Sequence, residues 1–147
     1  MRYLPAEWYP QSAVIIAWPN ENTDWNENIN DARECYKRIA KAISSRQKLI
    51  IMVHDQHAVK QELGSGFNDN IILVKAPYND TWTRDFGPVT VFEDGKPVLL
   101  DFQFNGWGEK FDASLDNATT QILAEKLFQD VKVEDHSSFV LEGGSIE

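Results

Sequence analysis

A mixed α/β (α+β) fold is predicted by three features of this sequence. Short apolar runs that read as buried strands recur along the chain, and two long amphipathic stretches carry helical spacing. The order of elements is β, α, β, short α, β, then a β-hairpin, α, β, β, an alternation that produces sheets of mixed strands.

Residues 1–12 are rich in proline and aromatics (Tyr3, Pro5, Trp8, Tyr9, Pro10) and predict an irregular, packed entry segment. Val14-Ile15-Ile16-Ala17-Trp18 is a continuous apolar run stopped by Pro19-Asn20, the pattern of a buried strand. From about Glu27 to Ser45, Ile29, Ala32, Tyr36, Ile39, Ala40 and Ile43 recur at steps of three and four, which is one face of a helix. Gln47 to Val53 predicts a second strand, and Asp55 stands where it can cap a short helix that runs to Leu63 and stops at Gly64-Ser65-Gly66. Ile71 to Val74 is a third strand. After a polar loop, Val89–Glu93 and Val98–Phe102 flank Asp94-Gly95-Lys96-Pro97, a hairpin signal. Phe104-Asn105-Gly106-Trp107-Gly108 predicts a glycine-punctuated loop, Leu115 to Phe128 a second helix, and Val131–Val133 and Ser138–Leu141 the last two strands. The chain therefore reads as two successive strand-rich units, each with one long helix.

At 147 residues, with 42% hydrophobic and 12% aromatic content, the chain is long enough to bury a sizeable core and predicts a single globular domain over 1–147. A formal charge of −9 argues against nucleic acid or an anionic membrane as partner and permits a small cationic one. The one cysteine, Cys35, rules out an internal disulfide framework. With no apolar run of membrane-spanning length and no hydrophobic leader, the expected location is the cytoplasm. Leu141-Glu142-Gly143-Gly144-Ser145-Ile146-Glu147 breaks off in what reads as a strand at a turn, so the domain is expected to be incomplete.

The most chemically loaded stretch is Asn79-Asp80-Thr81-Trp82-Thr83-Arg84-Asp85-Phe86-Gly87-Pro88. It places two carboxylates, an arginine and an indole in a loop between strands, where sites are commonly built. Trp82 can offer a flat face to a cation, and a carboxylate can accept a guanidinium's fork of donors. The competing reading, slightly favoured by chemistry alone, pairs Arg84 internally with Asp80 or Asp85. Glu142, ahead of a glycine pair at a strand end, is either part of a turn or a carboxylate beside which backbone or ligand approaches closely.

Other candidates read as structural. Cys35 is mid-helix beside the apolar stripe and is expected to be a small packed thiol. His54 and His57, at the start of the short helix, lack the further ligands a metal needs, and His136 reads as part of a turn. Gly143-Gly144 has neither the spacing nor the lysine of a phosphate-binding loop.

The segment Asn79–Pro88 resembles a signature of the agmatine deiminase family and its relatives, the Porphyromonas-type peptidylarginine deiminases. Pro5-Ala6-Glu7-Trp8, Ala17-Trp18-Pro19, Phe104–Lys110 and Leu141–Ile146 resemble the same family, in the right order along the whole chain. The resemblance implies an α/β propeller of five ββαβ-type units around a central site (a pentein), of which this chain holds about the first two. It also implies that Asp85 grips a substrate guanidinium, that Glu142 is the second site carboxylate, and that Trp82, Asn79 and Asp80 line the pocket. The implied chemistry is deimination of agmatine to N-carbamoylputrescine and ammonia by a cysteine thiolate, on the way to putrescine and the polyamines, without metal or other cofactor. Arginine or peptidyl-arginine is the alternative substrate.

Paired carboxylates suit that chemistry, since a guanidinium is a poor electrophile and must be held and oriented beside the nucleophile. The family's cysteine and histidine lie downstream of the Glu-Gly-Gly motif, and Cys35, His54, His57 and His136 do not match them. The chain alone is therefore expected to lack turnover. A reading from another class makes it a module that binds guanidino compounds or assembles, as a homo-oligomer, through exposed strand edges.

Overall fold

The structure, a computed structural model, describes residues 1–146. It is a mixed α/β fold with two open sheets, divided between two compact units: Gln11–Thr83, and Met1–Pro10 together with Arg84–Glu147.

The first unit carries a parallel sheet in the order β2 (Val14–Ala17), β3 (Leu49–Val53), β4 (Ile71–Lys75), with Val14 opposite Leu49 and Leu49 opposite Ile71. All five residues of β3 are buried, as a central strand covered on both faces requires. The connection from β2 to β3 is helix α1 (Ile29–Ser44), entered through a 3-10 turn at Asn26–Asn28. Its inward positions are Ala32, Tyr36, Ala40, Ile43 and Ser44, while Ile39, placed on the stripe by sequence spacing, is 38% exposed. Tyr36, Ala40 and Ile43 pack with Trp18, Leu49, Ile51, Val53 and Ile71 in the core. Helix α2 (Gln56–Leu63) is capped as expected: the Asp55 carboxylate accepts from the amides of His57 at 2.8 Å and Ala58 at 3.1 Å. At the carboxyl ends of these strands Tyr78 is buried and donates its hydroxyl to Trp18 O at 2.6 Å, with burial pushing the phenol up to about 12. That bond anchors the start of the loop that follows.

The second unit has a four-stranded sheet in the order β1 (Arg2–Tyr3), β5 (Val89–Glu93), β6 (Lys96–Gln103), β7 (Lys132–Val140). β1 was not foreseen; Tyr3 pairs across to Phe92 and stacks on its ring at 5.6 Å. The hairpin between β5 and β6 turns in two residues rather than the expected four. Asp94 (φ 49) and Gly95 (φ 81) supply the two left-handed positions a type I′ turn needs. The segment Phe104–Gly108, expected as plain loop, contains a left-handed turn in which Gly106, Trp107, Gly108 and Glu109 all have positive φ. At Gly106 a Cβ would lie 2.1 Å from Phe111 O, so only glycine fits.

Two further expectations for this unit need correction. The helix predicted from Leu115 begins as a 3-10 turn (Asp116–Ala118) and is α-helical over Thr119–Leu127, so Thr119, Thr120, Leu123 and Ala124 are buried while Leu115 is 42% exposed. The last two strands are one, β7, parallel to β6, with an irregularity where Gln103 pairs with Val140 after Phe102 pairs with His136. Asp135 accepts the Ser137 amide at 2.8 Å, so the turn chemistry read around His136 is satisfied as a bulge inside the strand.

Candidate functional site

The loop Asn79–Pro88 contains a one-turn helix, α3 (Thr83–Phe86), and its residues are shared between the two units. Asn79, Asp80 and Trp82 belong to the first, Asp85 and Glu142 to the second.

In the first unit Asp80 is half-buried and fully engaged in shaping its loop. Its Oδ1 accepts from the Thr81 amide at 2.6 Å and the Thr81 hydroxyl at 3.2 Å, and its Oδ2 accepts from the Asp24 amide at 3.2 Å. Burial raises its pKa above the usual aspartate value, against the pull of these donors. The buried Thr81 hydroxyl also accepts the indole N–H of Trp25 at 2.8 Å. Trp25 in turn stacks on Trp82, with ring centres 6.4 Å apart and planes 29° apart, leaving Trp82 44% exposed. The result is an accessible indole braced from behind, close in sequence to a carboxylate and to the half-buried Asn79. Trp25 and Thr81 were not singled out in the sequence, where nothing links positions 56 residues apart.

In the second unit Asp85 and Glu142 are brought together around one glycine. The Gly144 amide donates to Asp85 Oδ1 at 3.2 Å. A Cβ at Gly144 would fall 2.3 Å from that oxygen and 3.6 Å from Glu142 Oε1. At Gly143 a Cβ would lie 2.3 Å from the Arg84 carbonyl oxygen. The glycine pair is thus explained by backbone seated directly on Arg84-Asp85. The turn is tightened by Ser145, whose amide and hydroxyl both donate to Glu142 O, at 3.0 and 2.6 Å. Burial raises the Asp85 pKa, opposed by the Gly144 amide and then by the charge of Arg84.

Arg84 does not form the internal pair expected of it with Asp80 or Asp85. Its guanidinium donates to the Glu7 carboxylate and, at 2.8 Å, to Ile146 O. The other candidates take structural or solvent-facing positions. Cys35 is exposed on α1 instead of packed, because the helix turns its buried face one position away, to Ala32, Tyr36 and Ala40. His54 stacks on Tyr78 at 4.4 Å, His57 contacts Gln61, and His136 lies beside Glu134 and Phe102. Among the described residues no group of three or more histidines, cysteines or carboxylates is placed to hold a metal, and no helix is long and apolar enough to cross a membrane.

The family model described as Porphyromonas-type peptidyl-arginine deiminase matches residues 3–147. A Vibrio parahaemolyticus protein, provisionally named an agmatine deiminase, is 36% identical, the alignment covering 98% of this chain and 40% of the relative. A cysteine-to-serine variant of C. jejuni agmatine deiminase, solved with substrate bound, superposes with a TM-score of 0.89 at 35% identity, covering all of this chain and 43% of that one. The agmatine deiminase of Enterococcus faecalis gives a TM-score of 0.82 at 29% identity, covering 98% of this chain and 40% of that one. The chain spans about 40% of the length of the curated relatives it matches.

Proposed function

Since the chain belongs to the Porphyromonas-type peptidyl-arginine deiminase family, we propose that it is the N-terminal part of an agmatine deiminase, a hydrolase of linear amidines acting in the cytoplasm. On this reading 1–147 is part of one catalytic domain, an α/β propeller of ββαβ-type units. Asp85 and Glu142 hold the substrate guanidinium, and Trp82, Asn79 and Asp80 are substrate-binding residues. The thiolate attacks the guanidinium carbon and ammonia leaves. Water then cleaves the thiouronium intermediate, releasing N-carbamoylputrescine and regenerating the thiolate. By the family resemblance, the cysteine and histidine for these steps come from sequence beyond these 147 residues; the C. jejuni relative solved with substrate bound is a cysteine-to-serine variant.

The observation that carries this reading is the seating of Gly144 between the Asp85 and Glu142 carboxylates. A glycine there lets two acidic groups, one of them desolvated, stand over a common space without a side chain filling it. Such a pair suits a planar cation that each carboxylate can accept from. Calorimetry tests it: the chain binds agmatine, Asp85→Asn abolishes binding, and no ammonia is released by the chain alone. Binding unaffected by Asp85→Asn would overturn the assignment. Arginine or peptidyl-arginine replaces agmatine on this reading if it binds more tightly in the same experiment.

A second reading, assembly through a strand edge, draws on β7. It is the outer strand of its sheet and leaves Phe139 62% and Val140 52% exposed. Sedimentation decides it, a concentration-independent monomer counting against homo-oligomerisation.

A further inference from the structure

Arg84 and Asp85 are adjacent on α3, and Arg84 carries the same functional group as the proposed substrate. A tethered guanidinium beside a carboxylate acts at an effective concentration in the millimolar range or above. Arg84 competes for Asp85 once its side chain can turn toward it, and its charge already favours the ionised form of that carboxylate. Instead its guanidinium is drawn to Glu7, with a second bond to Ile146 O at 2.8 Å. Glu7 can reach it because the entry segment is fixed on the sheet through the β1–β5 pairing of Arg2 with Glu93 and Tyr3 with Phe92. The Arg84 and Glu7 side chains are 58% and 59% exposed, a setting in which an ion pair adds at most about 1 kcal/mol of stability. Stability is thus a thin explanation for the pair.

We infer that Glu7 is a positioning residue that holds the Arg84 guanidinium off Asp85, so that the Asp85 carboxylate stays open to a cationic substrate. The inference rests on the proposed role of Asp85 for its purpose, but the latch itself is independent of any ligand. It also gives Glu7, in the Pro5-Ala6-Glu7-Trp8 segment, a role in the site.

Carboxyl-carbon NMR titration of Asp85 in the 147-residue chain reads the latch directly. In Glu7→Ala the freed Arg84 turns to Asp85, and the Asp85 midpoint moves down from its wild-type position. In the double variant Glu7→Ala with Arg84→Met, that downward move disappears, because the competitor is gone. Amide spectra verify that each variant remains folded. An Asp85 midpoint unchanged by Glu7→Ala overturns the inference, as does a downward move that persists in the double variant. Calorimetry with agmatine is the separate arm: Glu7→Ala lowers affinity about tenfold, and the loss is absent when Arg84→Met is the reference. A moved midpoint without agmatine binding keeps the latch and sinks the substrate reading. Agmatine binding with an unmoved midpoint does the reverse.

Discussion

The Gly144 amide donates to Asp85 Oδ1 at 3.2 Å across 59 residues of chain, and the room for that bond exists only because Gly144 lacks a side chain. Gly144→Ala puts a carbon 2.3 Å from the carboxylate, so Asp85 must leave its position. Gly143→Ala puts one equally close to a backbone carbonyl, which has less freedom to move. The expected ordering in denaturant unfolding is a larger loss for Gly143→Ala, about 2–3 kcal/mol, than for Gly144→Ala. Agmatine binding is lost in both, and a Gly144→Ala variant that binds normally would place the cation elsewhere.

Asp85 also connects function to pH. Burial raises its pKa, so the folded protein favours its protonated form. Its stabilising contribution is fully present below the unfolded aspartate value and is lost as pH rises through the folded one. At neutral pH the native state therefore carries a desolvated charge. Asp85→Asn is expected to unfold at higher denaturant than wild type at neutral pH, the gain vanishing below the usual aspartate range. Asp80, raised for the same first reason, adds to this trend. Glu134 opposes it: hydrogen bonds from Arg2 and Lys132 lower it to about 2, and its contribution is lost as pH falls through that value.

Local chemistry was legible in the sequence wherever a pattern involved neighbours. The Asp55 cap, a hairpin around Asp94-Gly95 and the strand β3 follow from residues a few positions apart. Long-range partners were not. Arg84 has two aspartates within four residues, yet its bonds go to Glu7 and Ile146, 77 and 62 positions away. Likewise Gly143-Gly144 read as a turn or a close approach because the backbone it meets, Arg84-Asp85, is distant in sequence. Asp135-His136-Ser137 carries real turn chemistry, but the parallel pairing with β6 continues through it, a tertiary effect that local preference does not contain.

Thr81 is expected to matter more than its size implies. Its hydroxyl receives Trp25 Nε1 and donates to Asp80, so Thr81→Val leaves a half-buried indole N–H and a carboxylate each short of a partner. A loss of about 1–3 kcal/mol is expected, with Thr81→Ser close to wild type. Near-UV circular dichroism reports the stacked Trp25–Trp82 pair and should fall in Thr81→Val but not in Thr81→Ser. An unchanged spectrum in Thr81→Val would mean that the stack does not depend on this hydroxyl.

Cys35 supplies the sharpest control on the chemistry. It is the only thiol in the sequence and lies exposed on α1, in the first unit. An exposed thiol reacts with a disulfide reagent in the folded state, so complete labelling without denaturant is expected. Cys35→Ser should change stability by no more than about 0.5 kcal/mol and leave agmatine binding untouched. Ammonia release by the wild-type chain that disappears in Cys35→Ser would make Cys35 the nucleophile, and would remove the reason to look for one beyond these residues.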